Sequence, residues 1–368
     1  MEPEFSNGTQ FPSNSVPDSI LTIPVLPAGR SLLRLPVKPL LKFKSVSKSW
    51  LALISSTKFI KTHLNLSANN KNKEDTHHAT MYFFLDVGEE KCNYKECPLK
   101  SLFHDSVTEA LEIDFPIEND IHGLYAMGSC NGLIYLAHYC VGYSLLWIPT
   151  TRKYKDLPLF RPRLEKHKCV AYGFGYDELH DDYKIVLISY NDIIRSSDDV
   201  MVKVYSLKSD SWTSVDYCDE TFYRKKCAGY YEYRLNCGGL FVDGKLHWDT
   251  YIYDPEFDPV EYSGRNIISF DLANEKWEKV GKPSYGEGET EMCAVTLGSD
   301  ICVFTDYKTT HLAAWVMKEY GNKEPWIKMF TITHPTNPNW YPTFFVSIKG
   351  EKLMVLIWSN FHDIHFQR

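Results

Sequence analysis

The sequence predicts an α+β chain, with a small helical module in front and a large all-β body behind it. Three observations carry that prediction. Apolar residues repeat at helical spacing only between about residues 32 and 64. After a polar stretch at residues 68–76, the pattern changes to short alternating or apolar runs broken by turn residues. Aromatic side chains make up 14% of the 368 residues, and flat rings favour a pleated surface.

Residues 1–15 are rich in Ser, Asn and Pro and are expected to be disordered. The helical module is placed at 16–67. Val37, Leu40 and Leu41 share one face of a first clear helix, with Pro36 and Pro39 in the opening turn, where a missing N–H costs little. Ser47 is placed to cap a second helix, in which Trp50, Leu53 and Ile54 recur at i, i+3, i+4. Thr57 is placed to cap a third, with Phe59, Ile60, His63 and Leu64 inward. Helices this short must lean on one another, on the β body or on a partner.

Charge is shared unevenly. Up to Ser67 there are eight Lys or Arg against three acids, although the whole chain carries −7. The module would suit an acidic partner surface, but from charge alone solvated helix faces are the preferred reading of the same lysines. The net charge gives no reason to expect nucleic acid or an anionic membrane as partner.

A linker is expected at 68–78 and the β body at 79–368. Within the body one unit recurs: a hairpin with Gly at its turn, a loop, a strand, a polar turn, and a last strand bearing an aromatic residue. The aromatic markers are Tyr154, Trp212, Trp277 and Trp326. Their separation of about 50 to 65 residues suits four-stranded propeller blades. Asp243-Gly244 supplies the positive φ angles of a tight hairpin, while Ser209-Asp210 and Ala273-Asn274 suit longer turns. Trp212 and Trp277 are read as packing between blades rather than as ligand platforms. Near the end only Lys352 to Trp358 reads as a strand, followed by a polar tail. Strands near Thr80 to Asp86 and Leu111 to Phe115 are candidates to complete the closing blade.

No catalytic motif is present. H-E-x-x-H, G-x-S-x-G and P-loop patterns are missing, and Gly173-Phe174-Gly175 is too short for a dinucleotide fingerprint. The acidic pairs Asp181-Asp182 and Glu89-Glu90 read as solvated turns. The ten cysteines include no C-x-x-C, and Cys92, Cys97 and His104 lack a fourth ligand, so no metal or cofactor is expected. Neither a signal segment nor an apolar run of spanning length occurs, which predicts reduced thiols in cytosol or nucleus.

Several segments resemble a known family. Residues 35–54, LPVKPLLKFKSVSKSWLALI, are similar to the second half of a plant F-box. GSCNGL at 128–133, LWIPTTRKY at 146–154, YGFGY at 172–176, DYKIV at 182–186 and WVMKEYG at 315–321 resemble, in order, motifs of the F-box-associated, kelch-like domain. The resemblance implies a non-catalytic subunit of an SCF-type ubiquitin ligase. The F-box would bind a Skp-type adaptor, and through it cullin and a RING protein, while the β domain would bind the protein to be ubiquitinated. Carried onto this chain, the adaptor-facing residues are Leu35, Pro36, Val37, Leu40, Leu41, Val46 and Trp50, with Trp50 also suited to the module's own core. The last motif also resembles S-locus F-box proteins, whose targets are pistil ribonucleases.

One departure stands out. The family has an unbroken first helix, whereas Pro24, Pro27 and Gly29 here oppose one, an interior proline costing about 3 kcal/mol. A ligase-independent binding propeller with a degenerate F-box therefore stays open, as does a propeller enzyme with a metal in its channel. Recognition of the target is expected on loops at one rim, at 191–199, 218–236, 251–263 and 282–291.

Overall fold

The computed structural model describes residues 31–69, 80–86, 92–98, 109, 111–112, 124–138, 142–159, 169–190, 200–216, 232–235, 238–253, 263–283, 291–297, 300–307, 311–318, 326–333, 341–346, 353–359 and 363–367. The expected disordered start, the interrupted first helix at 16–30 and most of the linker lie outside these residues, as do most residues of the four loops. By internal contact the chain divides into two compact units. One holds Gly123–Leu146 and Asp156–Arg368, the other Phe5–His122 and Trp147–Lys155.

Among the described residues, helical residues 31–32 are followed by three helices: α1 (Val37–Phe43), α2 (Lys48–Ser55) and α3 (Thr57–Asn69). The last continues two residues past the expected module end at residue 67. No helix among the described residues is long and apolar enough to cross a membrane.

All further elements are strands. β1 (Thr80–Asp86), β2 (Cys92–Pro98) and β3 (Leu111–Glu112) form an antiparallel sheet of their own. β1 has the bounds the sequence predicts, and residues 113–115 of the second expected strand lie outside the described residues. The strands offered for the closing blade pair with β2 in this sheet, and no pairing with the last strands, at 341–346, 353–359 and 363–367, is present among the described residues. β4 (Leu124–Cys130), β5 (Leu133–His138), β6 (Ser144–Ile148) and β7 (Lys153–Asp156) follow as a four-stranded meander.

The next two repeats are β8 (Cys169–Asp177), β9 (Asp182–Tyr190), β10 (Val200–Ser206) and β11 (Ser211–Val215), then β13 (Gly238–Val242), β14 (Lys245–Tyr253), β15 (Ser263–Asp271) and β16 (Lys276–Val280). A short β12 (Glu232–Leu235) adds to β14. These nine strands are one sheet, because the first strands of the two repeats pair in parallel, Gly238 with Tyr172 and Gly239 with Gly173. β17 (Glu291–Leu297), β18 (Asp300–Asp306), β19 (His311–Met317) and β20 (Trp326–Thr333) form the next meander. β21 (Tyr341–Val346), β22 (Leu353–Ser359) and β23 (Asp363–Gln367) form the last sheet. The stretch read as a polar tail thus contains β23, antiparallel to β22.

Turn chemistry explains the hairpins. Asn131 and Gly132 have φ of 51° and 82°, and Asp243 and Gly244 have 49° and 74°, the positive values that two-residue hairpins require. Four longer turns end on a residue with positive φ: Arg152, Asp181, Asp210 and Glu275. At 272–275 that residue is Glu275 rather than Asn274, because Asp271 Oδ1 accepts from the backbone N–H groups of both Ala273 and Asn274 and winds the turn tightly first.

The aromatic markers Tyr154, Trp212, Trp277 and Trp326 fall in β7, β11, β16 and β20, the last strands of their repeats. Trp277 packs on Phe270 and Trp248, in a cluster that also takes Val186, Val202 and Val215 from the preceding repeat. The inter-repeat reading of Trp277 therefore holds. Trp212 donates its indole N–H to Pro158 O, 3.0 Å away and just past β7, and Trp326 donates to Gly281 O, just past β16. The same device occurs twice: a last-strand indole reaches back to the carbonyl where the previous repeat ends.

Gly173, rejected as part of a dinucleotide fingerprint, has a packing role that it shares with Gly239. A Cβ at Gly173 would lie 2.7 Å from Trp248 Cζ2, and one at Gly239 would lie 2.6 Å from its Cε2. Trp248 fills the space both leave and donates to Tyr172 O at 3.1 Å. Gly173→Ala should therefore overpack this core and lower unfolding stability by about 1–3 kcal/mol. Urea unfolding checks this, and an unchanged midpoint would contradict it.

Candidate functional site

The helical unit has a core of its own. Leu32, Leu40, Ile54 and Phe59 are buried together, with Leu33, Leu35, Phe43, Trp50 and Leu53 packed against them. Ser47 caps α2 as expected, its Oγ accepting from Trp50 N at 3.2 Å. The cap of α3 is Ser56 rather than Thr57: Ser56 Oγ accepts from Phe59 N at 3.3 Å and donates to Leu53 O at 2.7 Å. One hydroxyl thus ends α2 and starts α3, which fixes the sharp bend between them. His63 Nε2 donates to Leu35 O at 2.8 Å, tying α3 to the segment ahead of α1.

This core divides the seven adaptor-facing candidates. Leu40 is buried, and Leu35 and Trp50 are partly buried against the cluster, so these three build the unit. Pro36 and Leu41 are half-buried, while Val37 and Val46 are exposed, Val46 to 60%. Exposed Leu51, Ile60 and Leu66 join them, and Ile60 had been expected inward. Around these apolar groups Arg34, Lys38, Lys42, Lys48, Lys58 and Lys61 are exposed, and residues 31–66 contain no acid. The outward surface of the unit is apolar and positive. That combination fits a protein surface with acidic residues around an apolar seat.

The second candidate surface follows from strand direction. Within β8–β11 and β13–β16 every pairing is antiparallel except that of β8 with β13, so β8, β10, β13 and β15 all start at the same edge of the sheet. The opposite edge carries the tight turns at 178–181, 207–210, 243–244 and 272–275. The four long connections proposed for recognition all leave from the starting edge. Their own residues, apart from β12 within 218–236, strand ends and the first residues after β16, lie outside the described set.

The short-turn edge is rich in buried polar groups. Asp182, read from sequence as part of a solvated turn, is buried and accepts from Ser206 Oγ at 2.5 Å and Lys208 N at 2.8 Å. Asp177, fully buried, accepts from His180 N and Nδ1 and from Lys184 Nζ, the last at 3.1 Å. Burial alone would raise the Asp177 carboxyl, but the hydrogen bonds from His180 and Lys184 outweigh it and hold it below the usual carboxylate value. Tyr205 donates to Asp210 Oδ1, and burial followed by that carboxylate pushes the phenol upward. Burial raises the Cys130 thiol to about 12, which leaves it protonated and unreactive. Asp177, Asp182 and Tyr205 each hold a turn or a strand. Cys92 and Cys97 fall in β2, and His104 lies outside the described residues.

A family comparison decides what this arrangement belongs to. The family model described as the F-box associated beta propeller domain matches residues 93–364. The chain belongs to that family. F-box/kelch-repeat protein At3g23880 of Arabidopsis thaliana is 29% identical over 304 residues, covering 82% of this chain and 77% of the relative. F-box protein CPR1 of the same plant is 28% identical over 331 residues, covering 85% and 74%. Among solved structures, the SapL1 lectin in complex with alpha methyl fucoside aligns with a TM-score of 0.41 at 10% identity, over 77% of this chain and 86% of that one. So loose a likeness carries no argument about sugar binding. In the segment DYKIV at 182–186, Asp182 holds the 207–210 turn, and Lys184 is buried among acceptors.

His247 in β14 is fully buried, with Nδ1 3.2 Å from Leu240 O. Burial pushes its pKa down to about 4, overcoming that hydrogen bond, and Lys245 adds a smaller push the same way. The unfolded chain takes up this proton below about pH 6.5, and the folded chain refuses it until about pH 4. Stability is therefore full above pH 6.5 and falls by about 3 kcal/mol between those values. Urea unfolding at pH 7 and pH 5 should show His247→Gln losing less stability than wild type on acidification. Equal losses would contradict the assignment.

Proposed function

We propose that this protein is the substrate-recognition subunit of an SCF-type cullin–RING ubiquitin ligase. The observation that carries the reading is the pairing of a family-typed β domain with a helical unit that satisfies its own core and still exposes apolar side chains among lysines. In this reading residues 16–67 are the F-box and 79–368 the recognition domain. The unit docks on a Skp-type adaptor through Val37, Leu41 and Val46, with Leu51 beside them, while Leu35, Leu40 and Trp50 keep that surface in shape. Complete burial of such side chains is worth about 1.5–3 kcal/mol each, so a few suffice for a stable complex. Exposed lysines speed encounter with an acidic partner.

The β domain then holds a target protein near the ubiquitin-charged enzyme. The chain supplies no reacting group; it raises the local concentration of target lysines. The four long connections, at 191–199, 218–236, 251–263 and 282–291, carry thirteen acidic against six basic residues, which favours a basic target surface. The place of action is the cytosol or nucleus.

Co-expression with a plant Skp-type adaptor followed by affinity capture tests the reading. Wild type should retain the adaptor, and Val37→Asp with Val46→Asp should reduce capture about tenfold or more while thermal unfolding stays unchanged. Capture indifferent to both substitutions, or no capture by wild type, would leave a ligase-independent binding propeller instead.

A further inference from the structure

We propose that β8–β11 and β13–β16 are one locked platform rather than two independent blades, with Lys184 as the lock at the short-turn edge. Two attachments far apart on the sheet make the case. At the first strands, backbone pairing joins Gly238 to Tyr172 and Gly239 to Gly173, and the Trp248 indole sits over both glycines and donates to Tyr172 O. At the short-turn edge, Lys184 Nζ leaves β9 and crosses to the 272–275 turn. There it donates to Leu272 O at 2.7 Å and to Glu275 Oε1 at 3.2 Å, while keeping Asp177 at 3.1 Å. Its three N–H donors are thus divided, one to its own repeat and two to the neighbour's.

Lys184 is only 7% exposed, so water cannot take over a lost partner. A hinge about the first-strand pairing would pull the ammonium from Leu272 O, and a hinge about the ammonium would strip the paired backbone. Between the two lies a shared core, in which Val186, Val202 and Val204 pack with Leu246, Ile268 and Phe270. The junction with β17–β20 is built differently. It has a shared apolar cluster and the Trp326 bond to Gly281 O, with no strand pairing among the described residues. The platform also carries the starts of all four long connections, so, on the ligase reading, it would fix the spacing of the target-binding loops.

Hydrogen exchange read by mass spectrometry on the full chain tests the lock without any partner, so its outcome is independent of adaptor capture. Glu275→Asn keeps a residue tolerant of positive φ and removes one acceptor of Lys184. We expect amides of β9, in the other repeat, to exchange about tenfold faster in that variant, with β17–β20 unchanged. Lys184→Met should accelerate β9 and β15–β16 together, and Lys184→Arg should restore part of the protection. Should Lys184→Met fail to fold, the Glu275→Asn comparison still decides. Faster exchange confined to β15–β16 in Glu275→Asn would overturn the proposal.

Discussion

A four-stranded sheet cannot bury both of its faces by itself, and that constraint organises the β body. The repeats β8–β11, β13–β16 and β17–β20 share side chains with a neighbour to finish their cores. Ile267 and Val280 of β15 and β16 complete the cluster formed by Met292, Val303 and Met317 of the next meander. Trp277 closes the gap between the two repeats before it. The last-strand tryptophans therefore act as joints: Trp277 packs across two repeats, and Trp212 and Trp326 reach back through their indole N–H groups.

The helical unit solves the same problem differently. Three short helices are too small to be stable as separate elements, but Leu40, Ile54 and Phe59 meet in one cluster and Ser56 welds α2 to α3. The surplus of apolar groups then faces outward with the lysines. A unit needing all its apolar side chains for its own core would have had nothing to offer a partner; this one has Val37, Val46 and Leu51 to spare.

What was legible in the sequence was local. Ser47 caps α2, Asp243-Gly244 makes its hairpin, and the recurring aromatic residues mark last strands, because each of these depends on neighbours a few residues away. What was not legible depended on partners distant in sequence. Asp182 looks like a solvated turn residue until Ser206 and Lys208 arrive from the next hairpin, and Lys184 looks like a surface lysine until Leu272 and Glu275 arrive 88 and 91 residues later. The adaptor-facing set failed to separate core from surface for a related reason. Helical periodicity says which apolar residues share a face, but not which of them the next helix will cover, so Leu40 could not be told from Val37 and Val46, whereas Trp50 was already read as suited to the core. The strand β23 was missed although Ile364 and Phe366 alternate with polar residues, because the run is only five residues long and its partner β22 identifies it.

The account stands or falls on whether α1 and α2 present a docking face. Amide exchange of the full chain, followed with and without a purified Skp-type adaptor, tests that most directly. Slowed exchange across Val37–Ser55 on adding adaptor, with β4–β20 unaffected, is the predicted result. Protection appearing in the β strands instead, or no change anywhere at saturating adaptor, would contradict it.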